Sequence, residues 1–234
     1  MRKTMMILMA LSLACIVAVG STMSYLTYTD YDVNTMVVGN VKIAQLEQKR
    51  ENGALVDFEN DVKLLPVTSE ETADVTIGGE TYQLLNTENN AVDKIVTVKN
   101  EGTENAFVRT LIAFELMADG TNPLAPDQYL RMVANNLVAT DVVFTKGETQ
   151  YAVYVCYMEL AAGTTSAPSL LQVYLTAEES GDFYNSVGVN YEILTLSQAV
   201  QATGFTAGAE AALNNAFGVI NAANATAWFG GIGA

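Results

Sequence analysis

Among the side chains able to do chemistry in this chain, carboxylates dominate. Asp and Glu number 26 against 11 Lys and Arg, and histidine is absent. Without histidine, Ser-His-Asp and Cys-His nucleophilic systems are excluded, as are HExxH zinc sites and every other histidine-ligated metal centre. The two cysteines, Cys15 and Cys156, are too few for a thiolate zinc site. No Gly-rich phosphate loop, no Asp-Thr-Gly or Asp-Ser-Gly motif and no Ser-x-x-Lys spacing occurs. What remains are acidic clusters: Asp30 with Asp32, Glu70 with Glu71, and Glu178 and Glu179 with Asp182. Carboxylates so spaced can ligate calcium, which makes Glu178, Glu179 and Asp182 the metal candidates. None fits the EF-hand pattern, and on so acidic a chain such clusters read first as wetted loops. The expectation is therefore no catalytic residue and no cofactor beyond weak divalent-cation binding.

The elements that must position any function begin with an export signal. Arg2 and Lys3 precede an apolar run of about 16 residues ending at Gly20, and small residues follow around Thr22 and Ser24. A positive start, an apolar centre and a small-residue cleavage zone define a signal peptide. A bilayer-spanning helix wants roughly 20 residues, so residues 1–24 read as a removable signal helix, cut between Ser24 and Tyr25. Cleavage removes two basic residues and no acidic one, leaving a net charge of −17. Such a surface repels nucleic acid and anionic headgroups. Neither is expected as a partner, and contact with a membrane is expected only through the uncleaved signal. Cys15 goes with the signal, and Cys156, alone in the mature chain, reads as a small buried hydrophobe.

From Met36 to Leu196 apolar residues alternate with polar ones, the period of strands that bury one face. Val37, Val41 and Ile43 oppose Lys42; Val96 and Val98 alternate with Thr97 and Lys99. Val108, Ile112, Phe114 and Leu116 oppose Arg109 and Glu115, which places Arg109 on a wetted face. Val187, Val189, Tyr191 and Ile193 oppose Asn190 and Glu192. Tyr151 to Met158 is apolar on both faces, as a central strand would be, and Gly78-Gly79 marks a hairpin. Helices are expected over Asp127 to Asn135, started by Pro126, and in residues 197–218. There Ser197 would cap a first short helix ended by Gly204, and Ala209, Ala212, Leu213, Ala216 and Phe217 would form an apolar stripe. Residues 219–234 read as a flexible tail, with Trp228-Phe229 tucked against the domain. The expected fold is all-β: a β-sandwich over residues 25–196 with short peripheral helices.

Two blocks carry a resemblance. Tyr25-Leu26-Thr27, Asp30 and Asp32, then Asn34-Thr35-Met36-Val37-Val38-Gly39-Asn40-Val41-Lys42-Ile43 resemble the mature start of the TasA/camelysin family of exported bacterial proteins. Lys94-Ile95-Val96-Thr97-Val98-Lys99-Asn100-Glu101-Gly102-Thr103, running on to Ala106-Phe107-Val108-Arg109, resembles that family's second strand pair. With the signal, the blocks cover about a quarter of the chain. Leu26 and Met36 stand where the family has aromatics, and Tyr28 and Thr29 are extra residues before the acidic position. The resemblance implies a jelly-roll sandwich, cleavage by a SipW-type signal peptidase, and secretion to the matrix or surface of a Gram-positive-type bacterium. It also implies biofilm fibres held by strand donation, with other matrix or anchoring proteins as further partners.

The residues supply a physical route to self-assembly. A sandwich has edges whose N–H and C=O groups lack partners, and an extended segment of a second copy can complete them. Residues 25–38, with Tyr25, Leu26, Tyr28, Tyr31, Val33, Val37 and Val38, form a β-prone segment freed by cleavage. Head-to-tail donation does not close and so propagates. Alternatively, Met36 to Leu46 pairs within its own sheet behind an unstructured leader. Other functional classes are a camelysin-like surface metalloprotease and a monomeric surface adhesin or fibre accessory.

Overall fold

A computed structural model describes residues 27–30, 41–59, 64–119, 122–123, 125–175, 191–204 and 206–231. The predicted signal, the predicted cleavage residues Ser24 and Tyr25, and the metal candidates Glu178, Glu179 and Asp182 lie outside these. So do Leu26, Tyr31, Val33, Val37 and Val38 of the arm.

The period-2 stretches become two five-stranded antiparallel sheets. The first sheet runs, in spatial order, β1 (Thr27–Asp30), β14 (Ile193–Gln201), β7 (Ala106–Glu115), β12 (Thr149–Leu160) and β11 (Val138–Lys146). The second runs β10 (Leu130–Ala134), β13 (Leu170–Leu175), β6 (Val92–Asn100), β2 (Ile43–Glu51) and β3 (Ala54–Asp57). Their inner faces share a core. Val96 and Val173 of the second sheet meet Ile112 and Phe114 of the first, and Ile43 and Val98 meet Val108 and Ala199. Burying these side chains contributes about 1.5–3 kcal/mol each for the larger ones. Two minor pairs complete the β structure, β4 (Thr72–Ile77) with β5 (Glu80–Leu85), and β8 (Ala118–Asp119) with β9 (Asn122–Pro123).

The outer faces are covered as well. Gly78 and Gly79 take φ of +62° and +88°, the left-handed pair a tight hairpin requires. The hairpin of β4 and β5 brings Ile77 and Leu84 over Ile95 and Leu171. Beside it Arg50 reaches back with Nε to Asp93 Oδ2 at 2.5 Å and Nη2 to the Leu85 carbonyl at 3.0 Å. Gln172 donates to the same two residues, so the buried Asp93 carboxylate is paired and fully bonded, as a buried charge must be.

On the first sheet the outer cover is helical: α1 (Gly208–Phe217) and α2 (Ala222–Phe229). The apolar stripe predicted for residues 209–217 is α1, with Ala212 and Leu213 buried against Phe107 and Val200. Asn221 caps α2 by accepting from the Asn224 amide. Phe229, fully buried, stacks on Phe144 with centroids 5.2 Å apart.

Several expectations are corrected by this covering. Residues 222–229 are a docked helix rather than part of a flexible tail, because Ala225 and Phe229 bury in the sheet. Residues 197–201 finish β14 instead of starting a helix: Ser197 lies mid-strand, opposite Thr110. Nor is 127–135 helical. Pro126–Gln128 makes a single 3-10 turn and β10 follows, paired along β13. Arg109 is fully buried, since β7 has a helical layer over the face expected to be wet. Tyr151 to Met158 does lie in a central strand, β12, between β7 and β11, and Cys156 is buried.

Candidate functional site

The first sheet ends at β1, the backbone of the arm. β1 pairs antiparallel with β14, Thr27 opposite Val200, Tyr28 opposite Ala199, Thr29 opposite Gln198 and Asp30 opposite Ser197. It spans four residues beside the nine of β14, so among the described residues the outer edge of β14 from Ile193 to Leu196 has no strand. Of the predicted donor residues, Tyr28 is therefore placed, on an edge of its own sheet.

The second sheet thins at the same rim. β3 pairs with β2 at Gln48 to Glu51, and the Phe58 amide adds one bond to the Glu47 carbonyl. Val41 is buried and Ile43 to Gln48 pair with β6 on the inner side. Thus the part of the predicted 36–46 segment that is described from Ile43 onward pairs within its own sandwich.

Between the two rims the core turns polar. On β14, Thr195, Ser197 and Ala199 face inward, while Leu194 and Leu196 lie under α2. Gln45 of β2 crosses the gap: its Nε2 donates to Thr195 Oγ1 at 2.8 Å, and its Oε1 accepts from Ser197 Oγ at 2.7 Å. Glu47 accepts from Thr195 and pairs with Lys94, whose ammonium lies 4.3 Å from the Phe58 ring centre. Thr110 joins Ser197 at 3.1 Å. Six polar side chains, Gln45, Glu47, Lys94, Thr110, Thr195 and Ser197, on four strands, form one hydrogen-bonded seam tying sheet to sheet, and Ser197 and Thr110 are fully buried within it.

Elsewhere the first sheet holds two further polar centres. Arg109, outward on β7, donates to Gln198 Oε1 (2.6 Å), Asn214 Oδ1 (3.0 Å) and the Gly218 carbonyl (3.1 Å). The Trp228 and Phe217 rings stand 4.7 and 5.7 Å from its guanidinium carbon. Burial pulls its pKa down, against the pull of Tyr157 beside it. At the far end of β7, Glu115 Oε2 accepts from the Glu192 amide at 2.8 Å, and the Tyr191 hydroxyl donates to the Glu115 carbonyl at 3.0 Å. Burial and then the Glu192 charge push the Glu115 carboxyl above its ordinary value. Burial likewise raises Tyr129 to about 12.

The opposite edge of the first sheet is blunted. Register shifts between Ala139 and Val142 of β11, where Asp141 takes φ +58°. A bulge of this kind twists an edge away from further pairing. An open polar cleft of about 460 Å³, lined by Glu104, Asn105, Phe107 and Glu159 among others, sits beyond the ends of β7 and β12.

Among the described residues, no group of three or more His, Cys, Asp or Glu could hold a metal ion, and no helix is long and apolar enough to cross a membrane. Sequence reasoning missed Gln45, Glu47 and Thr195 and misassigned Ser197. The signal was there: Ile43, Gln45 and Glu47 share a strand face that begins apolar and turns polar. Comparison with protein-family models, with curated proteins and with solved structures gives no match.

Proposed function

We propose that this chain is an exported structural protein of the TasA/camelysin type that assembles head to tail by donating its N-terminal strand to β14 of the next copy. The observation that carries the reading is the place of β1: an outermost, four-residue strand at one end of a sheet, on the segment that signal cleavage would free. Bonds from this strand to its own β14 and to a neighbour's would be the same. Exchange then changes enthalpy little, and concentration decides the balance. The bulged edge at β11 favours β14 as the acceptor, which gives the chain one donor and one acceptor and hence a direction.

Movement of the chain between sheets, from β6 to β7, β12 to β13 and β13 to β14, is in keeping with a jelly-roll winding, and we assign the sandwich to that type. The product would be a secreted, non-enzymatic component of matrix or cell surface. Its partners would be further copies of itself, the signal peptidase that releases the arm, and the matrix proteins that anchor the fibre.

Electron microscopy of the mature chain beside a version lacking residues 25–34 tests the proposal. Fibres are expected from the first and none from the second. Particles that stay monomeric in both, across salt and pH, contradict it. Casein incubated with the mature chain, with and without chelator, should remain intact; chelator-sensitive cleavage would favour the metalloprotease instead.

A further inference from the structure

A polar seam is a costly way to fill a sandwich. Its hydroxyls are buried and its amide and carboxylate, on Gln45 and Glu47, are half-buried; such groups must recover lost hydration through hydrogen bonds, and apolar side chains of equal volume usually do as well or better. Here the polar residues are not scattered. Gln45, Glu47, Thr195 and Ser197 gather on the inner faces of β2 and β14, the strands inside the rim where β1 is outermost. Lys94 and Thr110 extend the seam to β6 and β7; beyond them the core away from that rim is hydrocarbon: Val96, Ile112, Phe114 and Val173.

Two properties follow from this placement. Every bond of Gln45 and Glu47 to Thr195 and Ser197 runs between sheets, so β14 is tied to β2 independently of anything outside it. Wetting such a lining also costs little, whereas an apolar lining would lose hydrophobic stabilisation in proportion to the area exposed.

We propose that the seam keeps the β14 edge folded and open while no strand occupies it, so that a vacated subunit persists as an acceptor for a second copy. This deepens the strand-donation reading and rests on it. The seam makes vacancy cheap, and the apolar core beyond it keeps the subunit globular.

The test is a thermodynamic cycle on the full mature chain, read as monomer unfolding in urea at concentrations too low for association. Tyr28→Pro with Thr29→Pro displaces the arm, because successive strand amides point to opposite sides and one of the two must serve β14. A second background replaces the seam with hydrocarbon through Thr195→Val, Ser197→Ala and Gln45→Met. Displacing the arm should lower the unfolding constant's folded bias on the order of tenfold more in the apolar background than in the native one. Equal losses in the two backgrounds, including no loss in either, overturn the proposal. If the triple replacement does not fold, Thr195→Val alone serves, with a smaller difference in the same direction. Because no fibre enters the measurement, this result is independent of whether the chain polymerises.

Discussion

Glu115 is the residue at which stability and pH meet. Its carboxylate is half-buried and close to Glu192, and both effects raise its pKa in the folded state. A group raised in this way destabilises the fold in its charged form. The penalty is present above the folded-state pKa and disappears as pH falls through it toward the unfolded value. Glu115→Gln keeps an acceptor for the Glu192 amide and removes the charge. It should raise the melting temperature by about 2 °C at neutral pH, with the gain vanishing at pH 4 in the same calorimetric scan. Arg109 poses the opposite problem. Its planar guanidinium reaches three carbonyl oxygens on β14, α1 and the turn after α1 while its faces meet two rings. An ammonium cannot span that set. Arg109→Lys should cost about 1–3 kcal/mol in chemical denaturation. Amide exchange over residues 208–229 should accelerate before that of β7.

Among the elements, α2 decides what the first sheet can be. Phe229 stacks on Phe144, which stacks on Tyr151 at 5.3 Å, and the three rings seal the outer face. Phe229→Ala should destabilise by about 3–5 kcal/mol, measured by urea unfolding, because a ring-sized void opens between helix and sheet. The same helix explains what the sequence concealed. The strands themselves were legible by alternation, although β6 and β7, read as having one wet face, are buried on both; the Gly78-Gly79 hairpin and the doubly apolar β12 were legible too. Alternation in 194–200 was equally present, but Gln198 on the face under the helices made that face look exposed, and SQAVQ then scored as a capped helix. Arg109 was misread for the same reason: a charge reads as solvent unless the layer above it is known. The seam was hidden by a different cause. Gln45 and Glu47 look like the wet face of an ordinary strand until β14, some 150 positions away, supplies their partners. The acidic clusters gave no site because spacing alone converges nothing.

At the scale of the molecule, a formal net charge of −15 opposes any contact between copies, and salt should relieve it within a Debye length of about 10 Å at 0.1 M. Strand exchange, by contrast, is a backbone interaction that salt leaves largely unchanged. In the proposed exchange, attraction would reside in the β14 edge and repulsion would be spread over the surface. That exchange rests on one claim: that the strand beside β14 can come from another copy. Tyr28 and Ala199 are paired opposite each other, at the Cα spacing of about 4.5–5.5 Å that a disulfide accepts, and Cys156 is buried. The mature chain carrying Tyr28→Cys and Ala199→Cys can be assembled, oxidised and run on a non-reducing denaturing gel. The account predicts a ladder of covalent oligomers that lengthens with ionic strength during assembly. A single band of internally crosslinked monomer under every assembly condition would contradict it.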